Sequence, residues 1–278
     1  MPSLEGKVAI VTGAARSRGI GRGIALRLAA LGADVVALGS PRAPELYPDD
    51  EKAIGWRGAA SVAIQIESSG GRALGFDADL TQAAEAERAV AETMSRFGRI
   101  DILVNNAGLA YCGEKSLWEI DDREWFDVMD VNLNAVFLIT SRVMRRMVEA
   151  KNGGRIVNIS SAAGRTAYPQ YGAYCATKWG IVGLTQMLAL EAAPHQITAN
   201  CIAPGSVDTD MMDGTFGHMA TRFHSEAAAM KQAVVGSIAL GRQGTPADIA
   251  GAVAFFASDD AAWITGQTLN VSGGTPMN

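Results

Sequence analysis

Two side chains four residues apart, Tyr174 and Lys178 in the run YCATK, have the chemistry to pass a proton to a substrate oxygen. A carbonyl that accepts a hydride becomes an alkoxide-like oxygen. A phenol, with an unperturbed pKa of about 10, can supply the missing proton when a neighbouring ammonium favours its ionised form. The segment reads as helix, and this spacing puts both groups on one face. Just upstream, Ser160 or Ser161, past a β-branched run, can hold the same oxygen by a hydrogen bond. Tyr171 is a rival phenol, but no lysine lies four residues beyond it.

A hydride needs a carrier, and the N-terminal stretch offers a place for one. TGAARSRGIG, Thr12 to Gly21, falls where a first strand should meet a first helix. Small residues there let backbone N–H groups approach a pyrophosphate, and the helix start adds positive potential. Gly13, Gly19 and Gly21 are the close-approach positions. No Gly-Lys-Ser/Thr follows, so this is not a P-loop. The second strand ends in ALGSPR, with Gly39 where an NAD site usually places an acid for the ribose hydroxyls. Ser40, Arg42 and Arg18 can instead receive a 2′-phosphate. That favours NADP over NAD by a small margin.

The elements that must position these groups alternate. Apolar runs predict strands at Val8–Thr12, Val35–Leu38, Ala73–Phe76, Ile100–Asn105, Arg155–Ser160, Ile197–Ile202 and Thr268–Val271. Helical periodicity falls on Gly21–Leu31, Ala59–Ser69, Ala83–Phe97, Tyr171–Ala193 and Pro246–Ala257, with one or two helices within Asp122–Met147. Such alternation predicts α/β architecture: a Rossmann-like three-layer fold with a mostly parallel sheet, residues 1–278 forming one dinucleotide-binding and catalytic domain. Two stretches read as surface loops. Gly39–Gly58 carries three prolines and the acids Asp49 to Glu51; Asp208–Met230 is rich in Met, His and small residues. The second lies beyond a strand's carboxyl end, where ligands of open α/β sheets bind, and reads as a substrate-covering loop.

Bulk properties narrow the class. The 278 residues are 48% hydrophobic with 31 glycines and no three-residue period, which excludes collagen and disorder. A net charge of -5 without a basic block argues against nucleic acid as a partner. Cys112, Cys175 and Cys201 form neither a disulfide framework nor a metal motif, and three scattered histidines offer no metal cluster. No signal peptide or membrane span is legible, so a cytoplasmic location without membrane association is expected.

These motifs in this order resemble the short-chain dehydrogenase/reductase family: TGAARSRGIG, NNAG (Asn105 to Gly108), VNLNAVF (Val131 to Phe137), IVNISS (Ile156 to Ser161), YCATK and NCIAPGSVDT (Asn200 to Thr209). The resemblance covers nearly the whole chain. It implies a catalytic tetrad of Asn132, Ser161, Tyr174 and Lys178, with Ser161 chosen because the family's serine lies thirteen residues before its tyrosine. Tyr174 would be the acid/base. Lys178 would hold the nicotinamide ribose, Ser161 would orient the carbonyl, and Asn132 would position a water leading to solvent. Asn106, Ala107 and Gly108 would line the adenosine side, and Asp79 and Leu80 would meet the adenine. Ile20 would join the phosphate turn, while Pro204, Gly205, Val207 and Thr209 would wall the nicotinamide. Asn105 is read as structural. A homotetramer packed through Glu124–Ala150 and Tyr171–Ala193 is also implied; Trp179 is read as packing.

Three departures stand out. Five residues separate Gly13 from Gly19 where three are usual, Gly39–Gly58 is expanded, and Ser272 replaces the acid often found before the paired glycines. The first two resemble a subgroup that prefers NAD, against the NADP inference. The expected activity is reversible hydride transfer between NAD(P)(H) and a small or medium secondary alcohol or ketone. Leu109, Tyr111, Ala162 and Tyr168 would line its pocket, and Met211, Met212, Phe216, Met219 and Phe223 would cover it. Vicinal diols, hydroxyketones and sugar alcohols remain alternatives; acyl thioesters are disfavoured for want of a basic patch. The rivals are a catalytically silent dinucleotide sensor or scaffold and a nicotinamide-dependent epimerase or dehydratase.

Overall fold

The computed structural model describes residues 3–110 and 115–277. Seven strands form one parallel sheet: β1 (Val8–Thr12), β2 (Asp34–Gly39), β3 (Ala73–Asp77), β4 (Ile102–Asn105), β5 (Gly154–Ile159), β6 (Ile197–Pro204) and β7 (Thr268–Val271), in the order β3-β2-β1-β4-β5-β6-β7. The apolar runs follow from this arrangement, because central parallel strands are covered on both faces. The described helices are α1 (Ile20–Ala30), α2 (Asp49–Ala53), α3 (Ala59–Ser68), α4 (Ala83–Phe97), α5 (Asp122–Met129), α6 (Ala135–Ala150), α7 (Gly172–Ala192), α8 (Asp210–Arg222), α9 (Ala227–Ser237) and α10 (Pro246–Ala257).

Alternation along β1 divides the core. Ala9 and Val11 face one cluster with Ile24 and Leu28 of α1, Val62 and Ile66 of α3, and Ile249 and Val253 of α10. Ile10 faces the other with Val90 of α4, Ile139 and Met147 of α6, and Leu188 of α7. These are the three layers expected. Strand order reverses between β1 and β4, and such a switch point opens a crevice at the carboxyl ends of the strands.

Asp122–Met147 resolves into α5 and α6 joined by a π-helical turn, Asp130–Asn134. Such turns widen a helix locally and often mark functional positions; Asn132 sits in this one.

The two predicted loops need correction. Asp208–Met230 is mostly helix: the Thr209 hydroxyl caps α8 by accepting from Met212 N, and Asp210 and Asp213 complement the dipole of the first turn. Gly39–Gly58 contains α2, and Glu51 within it is completely buried.

Candidate active site

A cavity of about 830 Å³ runs along the carboxyl ends of the strands. It is lined at one end by Gly13, Gly19, Ile20, Ser40 and Arg42, and along one wall by Asp79, Leu80, Asn106, Ala107 and Gly108. Ser161, Tyr174, Lys178, Pro204, Gly205, Val207 and Thr209 line the middle. Gly21, Asn132 and Arg18 lie outside this lining.

The turn is shaped by contact. Gly13 has φ +66°, and a Cβ there would come within 2.6 Å of Ala107 Cα. A side chain at Gly21 would run into the Gly13 carbonyl, so Gly21 acts on the turn from behind. Asn106, expected to line the adenosine side, also ties β4 to this turn: its Nδ2 donates to Thr12 O at 2.9 Å and Gly13 O at 3.1 Å. Gly19 begins α1 with no side-chain cap, leaving that helix start to an anionic ligand. This fits a dinucleotide diphosphate.

Arg18 departs from expectation. Its guanidinium pairs with Asp208 at 3.2 Å, Asp210 at 3.2 Å and Asp213 at 2.9 Å, around the start of α8. It is committed to three carboxylates and does not line the end of the cavity that holds Ser40 and Arg42. Ser40 and Arg42 do line that end, with the Arg42 guanidinium 6.0 Å from the centre of the Tyr47 ring. Gly39 has a packing cause: a Cβ would lie 2.6 Å from Ala15 Cβ and 2.7 Å from Asp77 Oδ1. Burial pushes the Asp77 carboxyl above its usual pKa.

At the catalytic end, α7 carries Tyr174 and Lys178 into the cavity, with Lys178 Nζ 5.5 Å from the centre of the Tyr174 ring. Lys178 is buried, donates to Ile159 O at 3.0 Å, and is pushed down to about 8 by desolvation. The two serines divide their roles. Both line the cavity, but Ser160 Oγ is buried and donates to Lys178 O at 2.8 Å, while Ser161 Oγ accepts from Ala163 N at 3.1 Å. Ser161 keeps its hydroxyl proton available to a ligand; Ser160 has spent its own on α7.

Asn132 serves the site indirectly. Its Oδ1 accepts from Leu109 N at 2.7 Å, and its Nδ2 donates to Leu109 O at 2.9 Å and Thr177 Oγ1 at 3.3 Å. Its side chain therefore holds the loop after β4, which carries Gly108 beneath Lys178. Beneath that lies a neutral network: Asn105 Nδ2 donates to Asn158 Oδ1 at 2.8 Å and Thr140 Oγ1 at 2.9 Å, and Asn158 Nδ2 to Thr185 Oγ1 at 2.8 Å. Asp79 Oδ1 accepts from Thr81 N at 3.1 Å and Thr81 Oγ1 at 2.7 Å, fixing the turn after β3.

Of the predicted substrate residues, Leu109, Ala162, Tyr168, Met211, Met212, Met219 and Phe223 line the cavity. Phe216 does not; it is on the buried face of α8. Tyr111 and Cys112 lie outside the described residues. Sequence reasoning missed Arg16, Tyr47, Tyr171, Val234, Ser237, Ile238 and Thr275 as lining residues. The alanine-rich start of α9 was a usable helix signal for Val234 and Ser237. The others carry no local pattern.

Residues 13–276 match the family model described as enoyl-(acyl carrier protein) reductase. The chain is 38% identical over 270 residues to a short-chain dehydrogenase/reductase of Armillaria gallica, covering 97% of this chain and 96% of that one. It is also 38% identical over 275 residues to a 3-oxoacyl-[acyl-carrier-protein] reductase of Escherichia coli, covering 99% of each. An actinorhodin polyketide ketoreductase structure with NADPH superposes with a TM-score of 0.87 at 33% identity, covering 98% of each chain. With a cavity that joins a glycine turn to a tyrosine–lysine pair, and with likeness along almost its full length, the chain belongs to the short-chain dehydrogenase/reductase family of NAD(P)-dependent oxidoreductases.

Proposed function

We propose that the protein, as a single dinucleotide-binding and catalytic domain, transfers a hydride reversibly between NADP(H) and a small or medium secondary alcohol or ketone, with Tyr174 as acid/base. The observation that carries this reading is the placement of Tyr174, Lys178 and Ser161 on the same cavity as the glycine turn. The bound dinucleotide supplies or accepts the hydride. In reduction, the Tyr174 hydroxyl donates its proton to the carbonyl oxygen, and the Ser161 hydroxyl donates a hydrogen bond to the same oxygen. The ammonium of Lys178 stabilises the phenolate left behind; oxidation reverses each step. Asn132 holds Leu109 and thereby the floor of the site.

For the cofactor, Ser40 and Arg42 support a 2′-phosphate site, and a similar ketoreductase was solved with NADPH. Arg18 is not part of that argument. Met211, Met212, Met219, Phe223, Val234 and Ile238 support an apolar substituent on the substrate, with α8 as its cover.

Exposed apolar side chains support a homotetramer. Phe126, Phe137, Trp179 and Leu190 on α5 to α7 form one set, and Phe255 and Trp263 with Leu269 of β7 another. Trp179 is half exposed, which supports a packing partner from a second copy. Sedimentation giving a monomer would end that part of the reading. Among the described residues no helix is long and apolar enough to cross a membrane. The free thiols of Cys175 and Cys201 support a reducing compartment, hence the cytoplasm.

A spectrophotometric panel of ketones and secondary alcohols with both nicotinamides tests the reading. Turnover with an apolar ketone and tighter NADP than NAD binding is the expected outcome. Cofactor binding without turnover of any member would favour a sensor, and equal or weaker NADP binding would overturn the cofactor preference.

A further inference from the structure

Glu51 has no solvent-exposed surface, although it lies in the expanded segment between β2 and α3. Its Oε1 accepts from Ser17 N at 2.7 Å and from Arg16 Nε at 3.1 Å, while Oε2 is enclosed without a hydrogen-bond partner. Five residues on, the buried Trp56 donates its indole N–H to Ala15 O at 2.7 Å. The Arg22 guanidinium lies 5.9 Å from the Trp56 ring centre and donates to Ser17 O at 3.2 Å. Ala15, Arg16 and Ser17, within the lengthened stretch of the glycine turn, are therefore each held from behind by Glu51 or Trp56.

Arg16 continues the connection. Its Nη2 donates to Asp210 Oδ2 at 2.6 Å, in the first turn of α8. One guanidinium thus bridges a wholly buried carboxylate and a partly exposed one. The buried partner is the fixed end, because an uncompensated charge there is far more costly than one in contact with water. An apolar buttress could fill the same space, but it would take away the buried anchor of Arg16 and leave the start of α8 to its more exposed pairs with Arg18.

We propose that Glu51 is a positioning residue, setting the shape of the phosphate-facing turn and, through Arg16, the seating of the helix that covers the substrate. This rests on the reading that a dinucleotide occupies the glycine turn. The expanded segment then acts as a back wall to the cofactor site.

Calorimetric titration of the full chain with NADP and with NAD, and steady-state kinetics with the best substrate of the panel, test the proposal. Glu51→Gln is expected to weaken dinucleotide binding about tenfold through misplacement of the turn. Substrate KM should rise several-fold while kcat changes little, the pattern of lost uniform binding. Asp210→Asn should raise substrate KM alone, and the two substitutions should combine non-additively in that constant because both act through Arg16. Should Glu51→Gln fold poorly, the double variant Glu51→Gln/Arg16→Met removes both charges and should show the same binding defect in a folded protein. Unchanged dinucleotide affinity in a folded Glu51 variant overturns the proposal. A wild-type chain that binds neither nucleotide overturns the site reading and this proposal together; binding by wild type with no loss in the variant leaves the site reading standing and removes only Glu51.

Discussion

The catalytic end and the edge where the glycine turn meets α8 are both held by polar side chains, but by different physics. Beneath Tyr174 and Lys178, neutral amides and hydroxyls of Asn105, Asn158, Thr140 and Thr185 interlock with almost no contact with water. At the other edge, Arg18 and the carboxylates of Asp208 and Asp213 remain roughly half exposed. Buried neutral hydrogen bonds act in a low dielectric and are indifferent to salt, whereas half-exposed ion pairs are screened and individually weak. The first arrangement suits groups whose alignment must survive every turnover. The second suits the proposed role of α8 as a cover over the substrate.

The sharpest break in this comparison comes at the reacting atoms. Tyr174→Phe should retain dinucleotide binding and lose turnover by a factor on the order of 10²–10⁴, the usual contribution of a positioned acid/base. Undiminished activity would remove Tyr174 from its role.

Lys178 is a charge buried beside that network, and it strains the fold that carries it. Its pKa falls from 10.5 to about 8, so the folded chain binds this proton less tightly than the unfolded chain. The resulting penalty is fully present below pH 8 and is relieved as pH rises towards 10.5. At about 1.4 kcal/mol per pKa unit, the penalty is about 3 kcal/mol. Lys178→Met should abolish turnover yet raise stability at pH 7 by about 1–3 kcal/mol, the lower values reflecting loss of the bond to Ile159 O. Denaturant unfolding at pH 7 and pH 10.5 checks both signs: the gain should shrink at the higher pH. A variant less stable than wild type at pH 7 would refute the strain.

Asn158→Ala should cost about 1–3 kcal/mol by removing the two buried bonds that Asn158 makes to Asn105 and Thr185, and the loss should be the same in low and high salt. Arg18→Ala is the mild counterpart. We expect stability within about 1 kcal/mol of wild type, and a few-fold rise in substrate KM that disappears near 1 M salt, where the screening length is about 3 Å. A salt-independent effect would erase the distinction between the two ends.

Legibility followed the same division. Tyr174 and Lys178 announce themselves because helix geometry turns a four-residue spacing into adjacency, and the strands because their apolar runs are unbroken. Glu51 and Arg16 are 35 residues apart and Arg16 and Asp210 are 194 apart, so no local periodicity links them. The acids at Asp49 to Glu51 resemble any solvated run until the fold buries the last of them. Gly214 and Gly217 hid α8 by lowering its helix propensity, while a hydroxyl cap and first-turn acids stabilise it. Ser160 and Ser161 could not be separated by local pattern; the direction of each hydroxyl separates them.

The crowding around Gly39 constrains anyone who would retune this protein's choice of dinucleotide. Grafting an aspartate onto the tip of β2 is the obvious manoeuvre, but the first carbon of any such side chain meets Ala15 and the Asp77 carboxylate. Two acids would also then repel one another in a desolvated corner. Redesign has to begin one residue later, at Ser40, or across the ladder on β3, where Gly39 pairs with Asp77.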